Sequence, residues 1–480
     1  MMLLSRQVPA SAHFSKELQQ FLYGREYPLE EIPFPEHVIR NHAKAGWVTL
    51  RNGIDRSDDG FFSSITGRKK WTCRRCGNTD STAFASCSCG RCGRECIYCR
   101  HCLNMGIIRS CTKLAMWSGP APDHAVPQIT QTERLCTWAG KLSPEQANAA
   151  AKLDTALSAG ESFLIWAVTG SGKTELLFPA IEHALLRGDI VVLATPRTDV
   201  VRELYPRMKA AFPKVPISAL YGGSRERLPA APLVIATTHQ LVRFHCYFDR
   251  VFIDEVDAFP FHFDPMLAYA VGKAARQGAP VAYLSATPPA NLKNDFQSGK
   301  LCGVKIARRY HGYPLPVPQY RWAGDWLQSV RKGVLPHAFL EWIREKNAAA
   351  RPLFCFVPSV ALSRNVTELL QKEGFASVAG VHAQDPDRHE KVSSFREGKI
   401  HILVTTTILE RGVTIPGAEA AVFGADDPVF DERALVQISG RVGRSADCPD
   451  GDILFFHNGK TLEMVRARHH IEKMNKEGGF

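Results

Sequence analysis

No stretch of this chain approaches the ~20 consecutive apolar residues that a membrane-spanning helix needs, although 45% of its 480 residues are hydrophobic. The apolar stretch at the N-terminus, Met1 to Leu4, is too short for the core of a secretory signal. A cytoplasmic protein is therefore expected. There is no long internal repeat and no low-complexity tail, which argues against a solenoid or a disordered polymer. The 17 histidines lack metal-ligand spacing. Acid is nearly missing from one segment, where ten Lys or Arg between Arg68 and Lys113 face only Asp80 and Glu95.

That local scarcity of acid accounts for most of the formal net charge of +11. A compact basic module on a nearly balanced body reads as a docking surface for a polyanion, because neutralising phosphates releases counterions. A merely solvated basic face is the alternative. The same segment holds nine of the 14 cysteines. Without an export signal, clustered cysteines bind metal more often than they form disulfides. Cys73-x-x-Cys76 and Cys99-x-x-Cys102 have the spacing of two zinc knuckles, and Gly77 permits the tight turn after the first pair. Four thiolates close a structural site for Zn²⁺. Cys87, Cys89, Cys92 and Cys96 are in surplus, so a second zinc, another choice of ligands or an iron–sulfur cluster stays open. Cys136, Cys246, Cys302, Cys355 and Cys448 sit in apolar or loop settings and read as packing thiols.

The length allows about three domains. Residues 1–70 predict two short helices (Phe14–Tyr23 and Ile32–Gly46) and a strand from Trp47, with no assignable chemistry. The cysteine-rich module spans 71–117, and a Pro/Gly-bearing linker spans 118–141. From 142 the pattern becomes alternating strand and helix. Apolar runs at Phe163–Val168, Ile190–Ala194, Leu233–Ala236, Val251–Ile253 and Val281–Leu284 predict a parallel α/β sheet over 142–303. A Pro-rich stretch lies in a linker over 304–320. The rhythm resumes over 321–480 with Leu353–Val357, Ile402–Val404, Ala421–Phe423 and Ile453–Phe456, giving a second α/β lobe.

The most specific local signal is Ala167-Val-Thr-Gly-Ser-Gly-Lys-Thr174, between an apolar strand and a helix start. In that context Thr169, Gly170, Ser171 and Gly172 form a phosphate-binding loop, Lys173 reaches the β- and γ-phosphates of ATP, and Thr174 holds Mg²⁺. Ala167 stands where the strict pattern has glycine. A second apolar strand delivers Asp254 and Glu255 to its C-terminal edge, where open α/β sheets bind ligands. Asp254 suits the Mg²⁺ shell, and Glu255 suits orienting and deprotonating the attacking water.

With these motifs the chain resembles helicase superfamily 2, whose signatures recur in order over about 300 residues. The resemblance implies two RecA-like lobes in tandem, preceded by the zinc module. It also implies an adenine-reading role for Gln146 and coupling roles for Asp257, Ser285 and Thr287. Nucleic-acid contacts are implied for Thr195, Pro196, Arg197, Thr237, Thr238, Thr405 and Thr406, and catalytic roles for Gln437, Arg441 and Arg444. Such backbone contacts carry little sequence information. More narrowly, the chain is similar to the ComFA family of late competence ATPases of transformable Gram-positive bacteria. The similarity rests on Leu164–Val168, Ala194–Val201, Ala219–Ser224, Asp254–Pro260, Leu284–Pro289, Thr405–Thr414 and Ser15–Gln20. That family implies an ATPase at the inner face of the cytoplasmic membrane that draws single-stranded DNA inward, with the uptake channel, ComFC and DprA as partners. It also implies Cys73, Cys76, Cys99 and Cys102 as the zinc ligands. A replication-restart or repair helicase is a competing reading, and so is a DNA-binding scaffold with an idle ATPase.

Overall fold

The computed structural model describes residues 14–57, 70–122, 134–224, 231–407 and 415–480. Met1–Leu4, Arg68, the end of the 118–127 Pro/Gly stretch and residues 408–414 of the second-lobe motif lie outside the described residues. The first lobe is built on a seven-stranded parallel sheet. Its spatial order is Ile217–Leu220, Leu233–Thr237, Val191–Thr195, Arg250–Ile253, Val281–Ser285, Phe163–Ala167 and Cys302–Ile306. The second lobe has six parallel strands in the order Gln319–Trp322, Ile453–His457, Glu419–Phe423, Leu353–Phe356, Ile402–Thr405 and Val378–Val381. Helices cover both faces, so the inner strands are apolar throughout their length, as in Phe163-Leu-Ile-Trp-Ala and Leu353-Phe-Cys-Phe.

The lobes share a core. Leu164, Trp166 and Val168 of the first lobe pack with Leu315 of the connecting segment and with Phe354, Val422 and Phe455 of the second. That connecting segment is pinned by the last helix, Leu462–Glu477. Asn475 accepts from the Leu315 backbone N–H and donates to its carbonyl, both at 2.8 Å.

The N-terminal region and the cysteine-rich segment interlock. Strand Lys113–Trp117, which follows the cysteines, runs antiparallel between Glu26–Pro28 and Val48–Asn52. Cys73, Cys76, Cys99 and Cys102 are buried in the same apolar cluster as Val192, Leu267 and Ala270 of the first lobe. The docking element is helix Pro265–Ala274. Tyr269 donates its hydroxyl to the Arg74 carbonyl (3.1 Å), and a Cβ on Gly77 would collide with its ring. Lys273 pairs with Glu26 at 3.1 Å with both side chains buried. Removing one partner of a buried ion pair strands the other charge, at a cost of roughly 3–5 kcal/mol. Lys273→Ala is therefore expected to loosen the module from the first lobe. Limited proteolysis should cut between module and lobe faster than in wild type; an unchanged cleavage rate would rule out this anchor.

Candidate active site

The strand order of the first lobe sets its motifs in a row. Ala167, Ser285, Ile253, Thr195 and Thr237 end neighbouring strands, so the loops that follow them emerge side by side at one sheet edge. Between this edge and the second lobe lies a cavity of about 490 Å³. Gln146, the loop Thr169–Thr174, Asp254, Glu255, Asp257 and Ser285 line it, and so do Gln437, Arg441 and Arg444 from the second lobe.

The loop is shaped for an anion. Gly170 and Gly172 have φ of +77° and +69°, which turns successive backbone N–H groups inward. A Cβ on Gly172 would lie 2.3 Å from Gln146 Nε2. The buried hydroxyls of Thr169 and Ser171 have no hydrogen-bond partner among the described residues. Lys173 Nζ donates to the carbonyls of Ala167 and Val168 at 3.0 and 3.1 Å. Burial pushes its pKa down, and Asp254 and Asp257 oppose that. The chain beyond Thr174 forms one 3₁₀ turn, Glu175–Leu177, before the helix Phe178–Leu186 begins. Pro179 lacks the N–H that would bond the Glu175 carbonyl, so a regular helix cannot run back to the loop. Gln146 Nε2 donates to the Ser171 carbonyl (2.8 Å), and Oε1 accepts from the Ser143 N–H in a capping box (2.7 Å). The glutamine thus ties a helix start to the phosphate loop.

Asp254 Oδ1 accepts from the Glu255 N–H at 2.9 Å. Glu255 has a left-handed φ of 57°, an uncommon conformation for a side-chain-bearing residue, of the kind that clusters at active sites. Asp257 is buried and accepts from Ser285 (2.7 Å), Thr287 (2.8 Å) and, across the lobes, Gln437 (3.3 Å). The second lobe approaches so closely that a Cβ on Gly440 would lie 1.9 Å from Thr169 Oγ1. Arg444 Nε donates to the Gly440 carbonyl at 2.8 Å. Burial pushes the Arg441 pKa well down and Arg444 adds to that, while Glu255 opposes it.

Some residues at this site carry no motif. Trp138, from the stretch read as a linker, and Tyr310, from the inter-lobe segment, line the cavity. Next to Tyr310, Arg309 is buried against Gly170 and donates Nη1 to the Gly443 carbonyl of the second lobe. Its Nε and Nη2 have no hydrogen-bond partner among the described residues, and burial beside Arg444 pushes its pKa down to about 9. An arginine in a Pro-rich connector gives no local signal; only the packing of connector against both lobes identifies it.

A second cavity, of about 480 Å³, opens between the lobes. Pro196, Arg197 and Thr406 line it together with Arg202, Phe259, Ala383, Arg388 and His389. Arg388 of the second lobe pairs with Asp199 of the first at 3.0 Å, and Arg202 donates to His389 at 2.9 Å. Phe259 is 72% exposed, with the exposed Phe263 ring 6.0 Å away. Neither aromatic was legible as functional in the sequence. Thr195, Thr237, Thr238 and Thr405 are buried at strand ends nearby and do not line this cavity. In the module, the sulfurs of Cys73, Cys76, Cys99 and Cys102 lie within 4.8 Å of one another, and Asn78 donates to Cys99 Sγ. This buried donor set fits a tetrahedral zinc ion.

Because Arg309 joins the phosphate loop to the second lobe without lining the nucleotide cavity, Arg309→Ala is expected to reduce ATP turnover about tenfold, the loss of one charged hydrogen bond. Nucleotide affinity should stay near wild type. Wild-type turnover in a steady-state ATPase assay would show the bridge to be dispensable.

Comparison with known proteins agrees with this arrangement. The competence protein ComFA N-terminal domain matches residues 10–116, the DEAD/DEAH box helicase domain 143–294 and the helicase conserved C-terminal domain 336–446. The chain is 44% identical to competence protein ComFA of Bacillus subtilis over 469 residues, covering 98% of this chain and 97% of that one. It is 37% identical to competence protein ComFA of Streptococcus pneumoniae, covering 80% and 87%. In fold it resembles S. cerevisiae Dbp5 bound to RNA and ADP BeF3, with a TM-score of 0.54 and 17% identity over 70% of this chain and 88% of that one. Two helicase lobes closed on a nucleotide cleft, an N-terminal cysteine module and this near-full-length identity place the chain in the ComFA family of competence proteins, ATP-dependent enzymes of the helicase type.

Proposed function

We propose that this protein is a single-stranded-DNA translocase that uses ATP to draw transforming DNA across the cytoplasmic membrane during natural competence. The observation that carries the reading is the cross-lobe cavity where Lys173 and Glu255 of one lobe meet Arg441 and Arg444 of the other. ATP bound there would be cradled by Thr169–Thr174, with Thr174 and Asp254 on Mg²⁺ and Glu255 orienting the attacking water. Arg441 and Arg444 would stabilise charge on the transferred phosphoryl group. Loss of that group weakens the contact between lobes, and the Asp257–Gln437 bond is the first link to yield. Ser285 and Thr287 on the same carboxylate pass the change to the first-lobe loops.

The second cavity supports single-stranded nucleic acid as the threaded polymer. Arg197, Arg202 and Arg388 suit the backbone, and the exposed Phe259 offers a face on which a base stacks whatever its identity. Duplex DNA buries its bases and cannot use that face. DNA as the substrate, the uptake channel, ComFC and DprA as partners, and a peripheral position at the inner membrane face follow from the family reading. Among the described residues no helix is long and apolar enough to cross a membrane. Zn²⁺ on Cys73, Cys76, Cys99 and Cys102 is assigned a structural role, fixing the module on the first lobe.

ATP turnover measured with single-stranded DNA, duplex DNA and RNA tests the assignment. Single-stranded DNA should stimulate wild type most, Lys173→Ala should be inactive, and Arg444→Ala should lose on the order of 10³-fold. Equal turnover with and without every polymer would remove the motor assignment. For the base platform, Phe259→Ala should weaken single-stranded DNA binding by roughly 1–3 kcal/mol while leaving basal ATP turnover unchanged. Fluorescence anisotropy with a labelled oligonucleotide measures this, and unaltered affinity would exclude stacking at Phe259.

A further inference from the structure

The cysteine module contains a second tetrad that the family's zinc ligands do not use. The sulfurs of Cys89, Cys92, Cys96 and Cys111 all lie within 4.8 Å of one another. Cys89 and Cys111 are 3.7 Å apart and Cys92 and Cys96 are 3.4 Å apart. In the inner tetrad the matching distances are 3.6 Å for Cys73 to Cys102 and 3.6 Å for Cys76 to Cys99. Four thiolates about 2.3 Å from one Zn²⁺ form a tetrahedron with edges of about 3.8 Å. A disulfide requires about 2.05 Å, and all eight cysteines are free. Both tetrads therefore have the dimensions of a metal site.

The backbone repeats the same device at each tetrad. In Cys73-Arg-Arg-Cys76-Gly77, Gly77 has φ of +73° and donates its N–H to the Cys73 carbonyl at 2.8 Å. In Cys89-Gly-Arg-Cys92-Gly93, Gly93 has φ of +67° and donates its N–H to the Cys89 carbonyl at 2.9 Å. A knuckle of this form brings two sulfurs together and needs a residue without Cβ at its close. One strand, Glu95–Cys99, then serves both tetrads. Cys96 and Cys99 are three residues apart, so they project from opposite faces of the ribbon, and each completes a different set.

From this geometry we infer that the module is a binuclear zinc unit, with a second structural Zn²⁺ held by Cys89, Cys92, Cys96 and Cys111. The inner ion sits in the apolar contact with the first lobe, whereas the outer one belongs to the distal end of the ribbon. There Arg91 and Arg94 are exposed on the knuckle that the metal shapes. Arg91 pairs there with Glu30 of the N-terminal region. Cys87 lies directly opposite Cys96 in the ribbon yet belongs to neither tetrad. It is the control that tells a built site from a general surplus of thiols.

Metal content of the full-length protein, purified without added zinc and measured by inductively coupled plasma mass spectrometry, tests the assignment. Wild type should carry two zinc ions per chain, Cys89→Ser/Cys92→Ser one, and Cys87→Ser two. ATP turnover in the Cys89→Ser/Cys92→Ser variant reports that the motor remains folded. Because the inner site is itself part of the proposed function, Cys73→Ser/Cys76→Ser separates the two. A single ion in wild type, lost from Cys89→Ser/Cys92→Ser, would uphold the outer site and remove the inner one. A single ion lost only from Cys73→Ser/Cys76→Ser would overturn the outer site. Loss of an ion from Cys87→Ser, or iron in place of zinc, would overturn it as well.

Discussion

The carboxylate of Asp257 is a buried charge that side chains of both lobes meet. A buried charge must be met by donors, and Asp257 has them on both sides: the hydroxyls of Ser285 and Thr287 within its own lobe and the amide of Gln437 from the other. The hydroxyl bonds are shorter than the amide bond. All three bonds fall on one buried carboxylate, so the cross-lobe contact of Gln437 is tied directly to the first lobe's own hydrogen-bond network.

Around it the cavity concentrates positive charge. Lys173, Arg441 and Arg444 line it, and Arg309 lies buried behind the phosphate loop. Burial lowers the pKa of Lys173, Arg309 and Arg441, as expected where ammonium and guanidinium groups lose water without enough anion to replace it. A triphosphate supplies that anion. The left-handed backbone at Glu255 belongs to the same design, since a strained turn there holds the carboxylate over the cavity instead of letting it follow the strand direction.

The cysteine module is joined physically to this machinery. Helix Pro265–Ala274, which carries the docking residues Tyr269 and Lys273, follows within a few residues of Asp257, and the intervening loop bears Phe259 and Phe263. The exposed aromatics, the buried Asp257 carboxylate and the module's seat are therefore consecutive parts of one chain segment. The cross-lobe pairs Arg388–Asp199 and Arg202–His389 border the second cavity, which Phe259 also lines.

Much of this was legible from the residues alone. The central strands of both sheets are continuous apolar runs because helices cover them on both faces, so Phe163–Ala167, Val191–Thr195 and Leu353–Phe356 stand out by composition. The edge strands Cys302–Ile306 and Gln319–Trp322 do not, since one side meets solvent and their residues are mostly polar or partly exposed. The motif residues of the nucleotide site were readable because phosphate chemistry demands particular side chains at close spacing. Trp138, Arg309, Tyr310 and Phe259 were not, because their roles come from contact between segments far apart in the chain. The choice among nine clustered cysteines was likewise open in one dimension. Spacing alone establishes that thiolates gather there; only the pleat of the Glu95–Cys99 strand, which sends Cys96 and Cys99 to opposite faces, sorts them into two tetrads and leaves Cys87 outside both.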